Sequence, residues 1–326
     1  MSELTKFLFE GLPVRGMLVR LTESWQEVLR RRETAGRYPQ PVRELLGEMA
    51  AAGVLMQANI KFNGALVLQI QGDGPLKLAV AEVQSDLAFR ATAKITGDVV
   101  LGDRLEALVN VHGRGRCAIT LDPRERLPGQ QPYQGVVPLH GDRREPLQRV
   151  EQVLEHYMLQ SEQLDTRLML AATDEGAAGL LIQRLPMQGE GNLEGTAARA
   201  AAGRRNEDDF GLSEAFDRIA MLAATLTREE LLALPAERVL HRLFWEETLR
   251  VFQPLSPRFA CTCSRERVCG MLRGLGREEV DGIVAERGEV EIGCEFCGVM
   301  YRFDAVDVGE LFTPGRNHPP GSGAVQ

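Results

Sequence analysis

The first 186 residues carry both helical and strand-like patterns of hydrophobic positions. Helical spacing occurs over 23–32, in a segment after Pro39 and Pro41, and over 146–164. Strand-like patterns occur over 66–70, 76–80, 87–95, 117–121, 168–172 and 179–185. The turn residues 72–75 between the first two strands predict a hairpin. Helices and mostly antiparallel strands in this order predict an N-terminal α+β domain over 1–186.

The pattern changes after Pro186. The next residues, up to about 206, are rich in Gly, Ala and charged side chains and contain almost no large apolar residue, which is typical of a flexible connection. Short amphipathic helices follow; one opens with a capping box at 227–230 and the next begins at Pro235. Such helices own little core and must pack on another element. We therefore predict a flexible stretch plus a helical linker over 187–258.

Composition and charge narrow the class of protein. A chain of 326 residues corresponds to roughly two domains at about 150 residues each. The net charge of −8 argues against nucleic-acid partners, which require a basic face. No apolar run approaches the roughly 18 residues of a membrane span, and the first residues lack the order of a signal peptide. These features predict a soluble, cytoplasmic protein with neither nucleic-acid nor membrane partners.

Five of the six cysteines lie in one C-terminal stretch. In Cys261-x-Cys263 and in Cys294-x-x-Cys297, the local geometry of an extended segment and of a tight turn presents two sulfurs together. Four thiolates from two such pairs form the closed, tetrahedral shell of a structural zinc site. The span 259–312 has 54 residues, fewer than the roughly 70–80 that a core alone stabilises. The sequence predicts a small C-terminal module over 259–312 that binds one Zn²⁺, followed by a tail over 313–326.

The residues alone leave open whether this module is a static zinc ribbon, which they favour, or a redox switch. A C-x-C disulfide closes a very small ring, and strained disulfides are labile. Arg265, Arg267 and Arg302 are expected to lie near the sulfurs and to favour the thiolate form, hence oxidation. A nucleic-acid ribbon is disfavoured, because 259–312 contains eleven acidic and six basic residues and the zinc tetrathiolate is itself negative.

Other candidate chemistry is sparse. Cys117 falls in a strand pattern and is interpreted as a small buried hydrophobe. Cys269, beside Val268 and Leu272 on a predicted helix, is interpreted as a packed thiol without a role in the four-thiolate set. No Walker loop, nucleophile elbow or zinc-protease motif is present in the sequence. We therefore do not expect an enzyme.

Two C-terminal segments, FACTCSRERV at 259–268 and EVEIGCEFCGVMYRF at 289–303, make the cysteine module recognisable. They resemble the heat shock protein 33 family, the redox-regulated cytoplasmic chaperones also called 33 kDa chaperonins. Family-like segments occur in the same order elsewhere, namely QGDGPL at 71–76, YQGVVPL at 133–139, SEQLDTRL at 161–168, GLLIQRLP at 179–186 and WEETLRVF at 245–252. The stretch at about 188–206 departs from the family pattern and is interpreted as an insertion.

The resemblance implies a mechanism. Reduced Cys261, Cys263, Cys294 and Cys297 would hold zinc in an inactive state, and oxidation would form the disulfides Cys261–Cys263 and Cys294–Cys297 and release the metal. The module and the linker would then unfold, and the protein would dimerise and bind unfolding clients without consuming ATP. The client-binding candidates are apolar residues of the linker helices: Phe216, Ile219, Leu222, Leu240, Leu243 and Trp245. The alternative is a cytosolic enzyme or translation-associated factor with a purely structural zinc ribbon.

Overall fold

A computed structural model describes residues 2–33, 36–125, 131–185 and 207–313, with the side chains of 207–213 excluded. It forms two compact units, Met1–Ala260 and Cys261–Gln326. The predicted insertion at about 188–206 and most of the predicted tail lie outside the described residues. The predicted boundaries at 186, 258 and 312 stay predictions.

The first unit contains both helices and antiparallel-rich sheets, which confirms the predicted α+β class. Its strands are β1 Glu3–Phe9, β2 Val14–Leu21, β3 Gly64–Gln71, β4 Leu76–Gln84, β5 Ala88–Ile95, β6 Arg116–Pro123, β7 Tyr133–Pro138, β8 Thr166–Ala172, β9 Ala177–Arg184, β10 Leu249–Val251 and β11 Arg258–Phe259. Its helices are α1 Glu23–Glu33, α2 Gln40–Asn59, α3 Leu105–Val109, α4 Val150–Ser161, α5 Glu207–Ala223, α6 Arg228–Ala233 and α7 Ala236–Phe244.

The strands form two sheets. The first sheet has the order β10-β1-β2-β9-β8, and the second has the order β11-β5-β4-β3-β6-β7. The predicted hairpin is present as β3 and β4, which pair antiparallel from Ala65 opposite Gln84 to Gln71 opposite Leu78. Only β11 pairs parallel to its neighbour among the strands that the structure describes in these two sheets. Strands from distant parts of the chain therefore join the same sheets.

Helix α2 packs against strands of both sheets and forms the centre of the main core. Its residues from Val42 to Gln57 are buried on almost every side, as expected for a helix without a continuous polar face. Two glycines allow the backbone to approach the strands closely. A Cβ built on Gly47 would lie 2.5 Å from the Cβ of Ala172, and one on Gly53 would lie 2.9 Å from Cγ2 of Val83.

The linker helices α5, α6 and α7 cover the other face of the first sheet. Phe7 and Phe9 of β1 contact Phe244 at the end of α7, with ring centroids 6.1 and 5.0 Å apart. Of the six client-binding candidates, Phe216, Ile219, Leu240 and Leu243 are buried in this interface, and Leu222 is partly buried against it. Trp245 differs from the others because it is 69% exposed. The short helices are thus stabilised by the sheet on which they pack.

Polar contacts add to this docking of α6. The guanidinium of Arg228 donates to Oε1 of Glu48 at 2.9 Å and to the carbonyl of Ala172 at 2.6 Å. Arg20 of β2 donates to the carbonyl of Leu232 at 3.0 Å. Burial raises the pKa of Glu48 to about 7, against the opposing effect of the Arg228 contact. The linker is therefore held by an apolar interface with an ion pair at its edge.

The predicted helix over 146–164 is shorter in the structure. Helix α4 spans Val150–Ser161, while Pro146 forms an isolated bridge with His140, and Leu147 N–H donates to the carbonyl of Leu139 at 3.1 Å. The residues before Val150 therefore use their backbone groups in an extended connection. Periodicity predicted too long a helix because Leu147, which lies before α4, packs against the same core.

The second unit is small. Its elements are α8 Arg265–Leu275, α9 Arg277–Arg287, β12 Val290–Gly293, β13 Met300–Phe303 and α10 Ala305–Leu311. Its core consists of Leu272, Val280, Val290, Phe303, Val308 and Leu311. Gly276 separates α8 from α9, and a residue with a Cβ rarely adopts its φ of +93°. Such a core is too small to stabilise the unit well by itself.

Within the described ranges, no helix is long and apolar enough to cross a membrane.

The close approach at Gly47 generates a test. Gly47→Ala should lower the free energy of unfolding of the first unit by about 1–3 kcal/mol in urea denaturation, because overpacking outweighs the gain in helix propensity. The control is Gly282→Ala in α9, where an added Cβ meets nothing within 4 Å. An unchanged transition for Gly47→Ala would contradict the packing described for α2.

Candidate metal centre

The Cys294-x-x-Cys297 pair lies in the turn that connects β12 and β13. The two strands pair antiparallel from Val290 opposite Phe303 to Gly293 opposite Met300. The N–H of Cys294 donates to the carbonyl of Val299 at 2.9 Å, and the N–H of Gly298 donates to the carbonyl of Cys294 at 2.8 Å. Gly298 has a φ of +70°, which favours glycine and lets the chain reverse. The hairpin thus brings both sulfurs to one end.

The Cys261-x-Cys263 pair precedes α8. Ser264 is the N-cap of this helix, and its Oγ accepts a hydrogen bond from the N–H of Arg267 at 3.2 Å. Serine is among the preferred N-cap residues because its oxygen satisfies an otherwise unpaired amide. The start of α8 therefore fixes where the first pair of sulfurs lies within the second unit.

The four sulfurs converge as the spacing predicts. Cys261, Cys263, Cys294 and Cys297 place their Sγ atoms within 4.8 Å of one another. Sγ of Cys261 lies 3.6 Å from that of Cys294, and Sγ of Cys263 lies 3.3 Å from that of Cys297. Tetrahedral zinc with Zn–S bonds of about 2.3 Å requires S–S separations of about 3.8 Å. The residues present therefore fit a four-coordinate metal ion.

The electrostatics of the cluster also call for a cation. Burial raises the pKa of the Cys294 thiol and, more strongly, that of the Cys297 thiol. Thiolates this close repel one another unless a positive ion lies between them. Backbone N–H groups lower this cost in part: Phe296 and Cys297 donate to the sulfur of Cys294, and Val299 donates to the sulfur of Cys297. A bound ion would supply the remaining compensation.

Sequence reasoning missed one neighbour of the cluster. The hydroxyl of Tyr301 in β13 donates to Sγ of Cys263 at 3.2 Å. This hydrogen bond raises the pKa of Tyr301 to about 12, so the hydroxyl stays protonated at neutral pH. Its position four residues after Cys297, on the second strand of the hairpin, was the available signal.

The arginines expected near the sulfurs have other partners. Arg265 donates to Oδ1 of Asp307 at 2.8 Å and to the carbonyl of Arg302 at 2.9 Å, and its guanidinium lies 4.2 Å from the ring centroid of Phe303. Arg302 pairs with Glu291 at 2.8 Å. Carboxylates therefore compensate these two charges. That the arginines favour the thiolate form stays a prediction. Their visible role is to join α8, β13 and α10.

The two remaining cysteines behave as interpreted from the sequence. Cys269 packs, partly buried, against the small core of the second unit and is outside the cluster of four. Cys117 is fully buried in β6, and burial raises the pKa of its thiol to about 12. A thiol with so little thiolate at neutral pH is unreactive.

Comparisons with known proteins agree with the fold and the cluster. The sequence model described as "Hsp33 protein" matches residues 2–304. The 33 kDa chaperonin of Chromobacterium violaceum is 49% identical over 311 residues, covering 95% of this chain and 94% of the relative. The 33 kDa chaperonin of Neisseria meningitidis serogroup A is 43% identical over 309 residues, covering 94% of this chain and 90% of the relative.

A solved structure has a similar fold. The crystal structure of the 33 kDa chaperonin from Thermotoga maritima superposes with a TM-score of 0.74 at 20% identity, covering 95% of this chain and 98% of that chain. The family model thus matches nearly the whole length of this chain, which has an α+β fold and a C-terminal cluster of four cysteines. The chain belongs to the Hsp33 family.

The position of Cys269 generates a test. Cys269→Ser should retain the bound metal in full, because the cluster of four does not include this sulfur. Cys294→Ser, the matched removal of one sulfur from the cluster, should lose most of it. Metal content is measured on protein purified under reducing conditions. Loss of metal from Cys269→Ser with retention in Cys294→Ser would show that the ligand set is different.

Proposed function

We propose that this chain is a redox-regulated molecular chaperone, a non-enzymatic holdase that acts in the cytoplasm without ATP. One observation carries the proposal: a chain of the Hsp33 family brings Cys261, Cys263, Cys294 and Cys297 together in a small unit with little core of its own. In the reducing cytoplasm such a cluster holds a metal rather than disulfides. Loss of the metal would remove the main interaction that stabilises the second unit. The partners proposed are unfolding proteins, with no nucleic-acid or membrane ligand.

The metal proposed is one Zn²⁺, held by the four cysteine sulfurs. Four thiolates suit Zn²⁺ or an iron–sulfur centre, and the C-x-C and C-x-x-C pairs offer one closed tetrahedron of the kind structural zinc takes. Zinc holds both sulfur pairs and so replaces the larger core that this unit lacks. In small zinc units, metal binding contributes about 10–16 kcal/mol to folding at neutral pH.

The ligand set has a direct measurement. The protein purified under reducing conditions should contain one zinc per chain, and X-ray absorption should show four sulfur neighbours at about 2.3 Å. Cys269→Ser serves as the control, since it lowers the number of thiols without touching the cluster. Nitrogen or oxygen in the first shell, or a metal content near zero, would contradict the proposed site.

Oxidation is proposed to form Cys261–Cys263 and Cys294–Cys297. In the structure, sulfurs of different pairs lie 3.6 and 3.3 Å apart, so this pairing is supported by the family resemblance and not by sulfur distances. Each proposed disulfide closes a ring of only one or two intervening residues, which constrains the unfolded chain little. The connection between residues 263 and 294 that the metal provides would be lost. The second unit would then unfold.

Release of the linker helices would provide the surface for clients. Phe216, Ile219, Leu240 and Leu243 are buried against the first sheet in the structure. Helices α6 and α7 have 6 and 9 residues, and isolated helices shorter than about 12–15 residues are marginal in water. The chain runs from β11, which pairs with β5, directly into Cys261. Unfolding that spreads back along this connection would free apolar residues of α5 to α7. Trp245 is exposed already and is available as a first contact.

The function has a discriminating assay. Aggregation of a thermally unfolding client should be suppressed, without ATP, by protein treated with peroxide under mild heat, and not by the reduced protein with zinc bound. Reduction in the presence of zinc should restore the inactive state, and size-exclusion chromatography should show the active form as a homodimer. Equal behaviour of reduced and oxidised protein would favour the alternative, a purely structural zinc ribbon.

The proposed mechanism makes a separate prediction. After oxidation, hydrogen exchange should accelerate across about 207–312 while 1–186 stays protected, because the main core around α2 is independent of the metal. The reduced protein with zinc is the reference state. Unchanged protection over 207–258 in an oxidised, client-binding sample would contradict linker release while leaving the chaperone activity standing.

A further inference from the structure

The Tyr301 hydroxyl is a side-chain hydrogen-bond donor to a sulfur of the cluster. Its oxygen lies 3.2 Å from Sγ of Cys263, within the range expected when the acceptor is a large sulfur atom. Tyr301 pairs with Ile292 across the β12–β13 hairpin, and it packs, partly buried, against the core of the second unit. The ring is therefore held in place, and the hydroxyl is directed at the sulfur by the fold.

The second pair of cysteines, Cys294 and Cys297, has hydrogen-bond donors of a different kind. The sulfurs of Cys294 and Cys297 accept hydrogen bonds from backbone N–H groups of Phe296, Cys297 and Val299. Such donors come with the turn itself and persist whichever side chains are present. The donor to Cys263 comes from a side chain, so one substitution removes it. The nucleophilicity of the Cys263 sulfur can accordingly be changed by a substitution at Tyr301 that leaves the backbone of the site unchanged.

We propose that Tyr301 is a positioning residue that sets the oxidation rate of the cluster by donating a hydrogen bond from its hydroxyl to Cys263 Sγ. A hydrogen bond to a thiolate draws electron density from the sulfur and makes it a weaker nucleophile. It also orients the remaining lone pairs towards the metal, as outer hydrogen bonds do for other metal ligands. The inference rests on the zinc site and redox function proposed above, and it adds a residue that controls how readily oxidants act on the cluster.

The step affected is attack on a peroxide. The Cys263 sulfur attacks one peroxide oxygen; an S–O bond forms, the O–O bond breaks and hydroxide leaves. The Cys261 thiolate then attacks the resulting sulfenic acid, so an S–S bond forms, the S–O bond breaks and a second hydroxide leaves. The two sulfurs lose two electrons, which the peroxide gains, and two protons from solvent convert the hydroxides to water. The Tyr301 hydrogen bond must weaken before the first attack.

The test removes only the hydroxyl. Tyr301→Phe with zinc bound should release zinc in hydrogen peroxide roughly three to ten times faster than the parent, since a hydrogen bond to a charged group is worth a factor of this order or more. Tyr133→Phe, which removes an exposed tyrosine hydroxyl in the first unit, is the matched control and should release zinc at the parental rate. Zinc is followed with a chromogenic chelator, and thiols are counted in parallel.

Two further measurements separate tuning from a merely structural role. In the Co²⁺-substituted protein, Tyr301→Phe should move the sulfur-to-metal charge-transfer band to longer wavelength, because the thiolate becomes the better electron donor. Site-specific 3-fluorotyrosine at 301, a stronger hydrogen-bond donor, should slow zinc release below the parental rate. The fluorinated variant also keeps the proposal testable if Tyr301→Phe does not hold metal.

The outcomes are distinguishable. Failure of the parent protein to bind zinc, or to lose it in peroxide, overturns the proposed function and this inference together. Normal binding and release by the parent, with the same rate and the same cobalt band in Tyr301→Phe, overturns the inference alone. A rate that rises in the order fluorotyrosine, tyrosine, phenylalanine supports it.

Discussion

The convergence of four sulfurs on one point is the constraint on which the second unit depends. Six buried apolar side chains form its core, and they do not offset the conformational entropy of ordering three helices and a hairpin. A metal ion held by Cys261, Cys263, Cys294 and Cys297 would replace the missing core with a few strong bonds. A unit stabilised in this way is stable or unstable as a whole, according to the chemical state of its ligands. That property makes the site suited to sensing oxidants.

The first unit has the opposite design. Helix α2 is buried against both sheets, and its glycines bring the backbone into close contact with β4 and β8. None of this packing involves a titratable sulfur other than Cys117, which burial keeps in its thiol form. One chain therefore combines a core without a reactive thiol and a small unit with a cluster of four cysteines. The linker helices pack on the first sheet and bury one of its faces, which is largely aromatic and aliphatic.

Sequence patterns were sufficient where one interaction dominates the local structure. The C-x-C and C-x-x-C spacings each predicted a pair of adjacent sulfurs, and alternation predicted the β3–β4 hairpin, because these features depend on neighbouring residues. Long-range features were beyond such patterns. The pairing of β10 with β1, the burial of α2 between strands of two sheets, and the partners of Arg265 all depend on residues far apart in the chain. The hydrogen bond from Tyr301 was missed for the same reason, because its acceptor Cys263 lies 38 residues earlier in the chain.

The apolar face of the first sheet has a consequence for how clients would be released. Phe7, Phe9, Leu18 and Ile182 on that face are covered by the linker helices, and they become accessible only when the helices leave. A client bound to this face or to the helices therefore competes with the docking of the linker helices. Because these helices belong to the same chain, their effective concentration is in the millimolar range for a short flexible connection. Reduction and metal rebinding would restore the ability of the linker helices to dock. Client release would then follow from intramolecular competition and would need no nucleotide cycle.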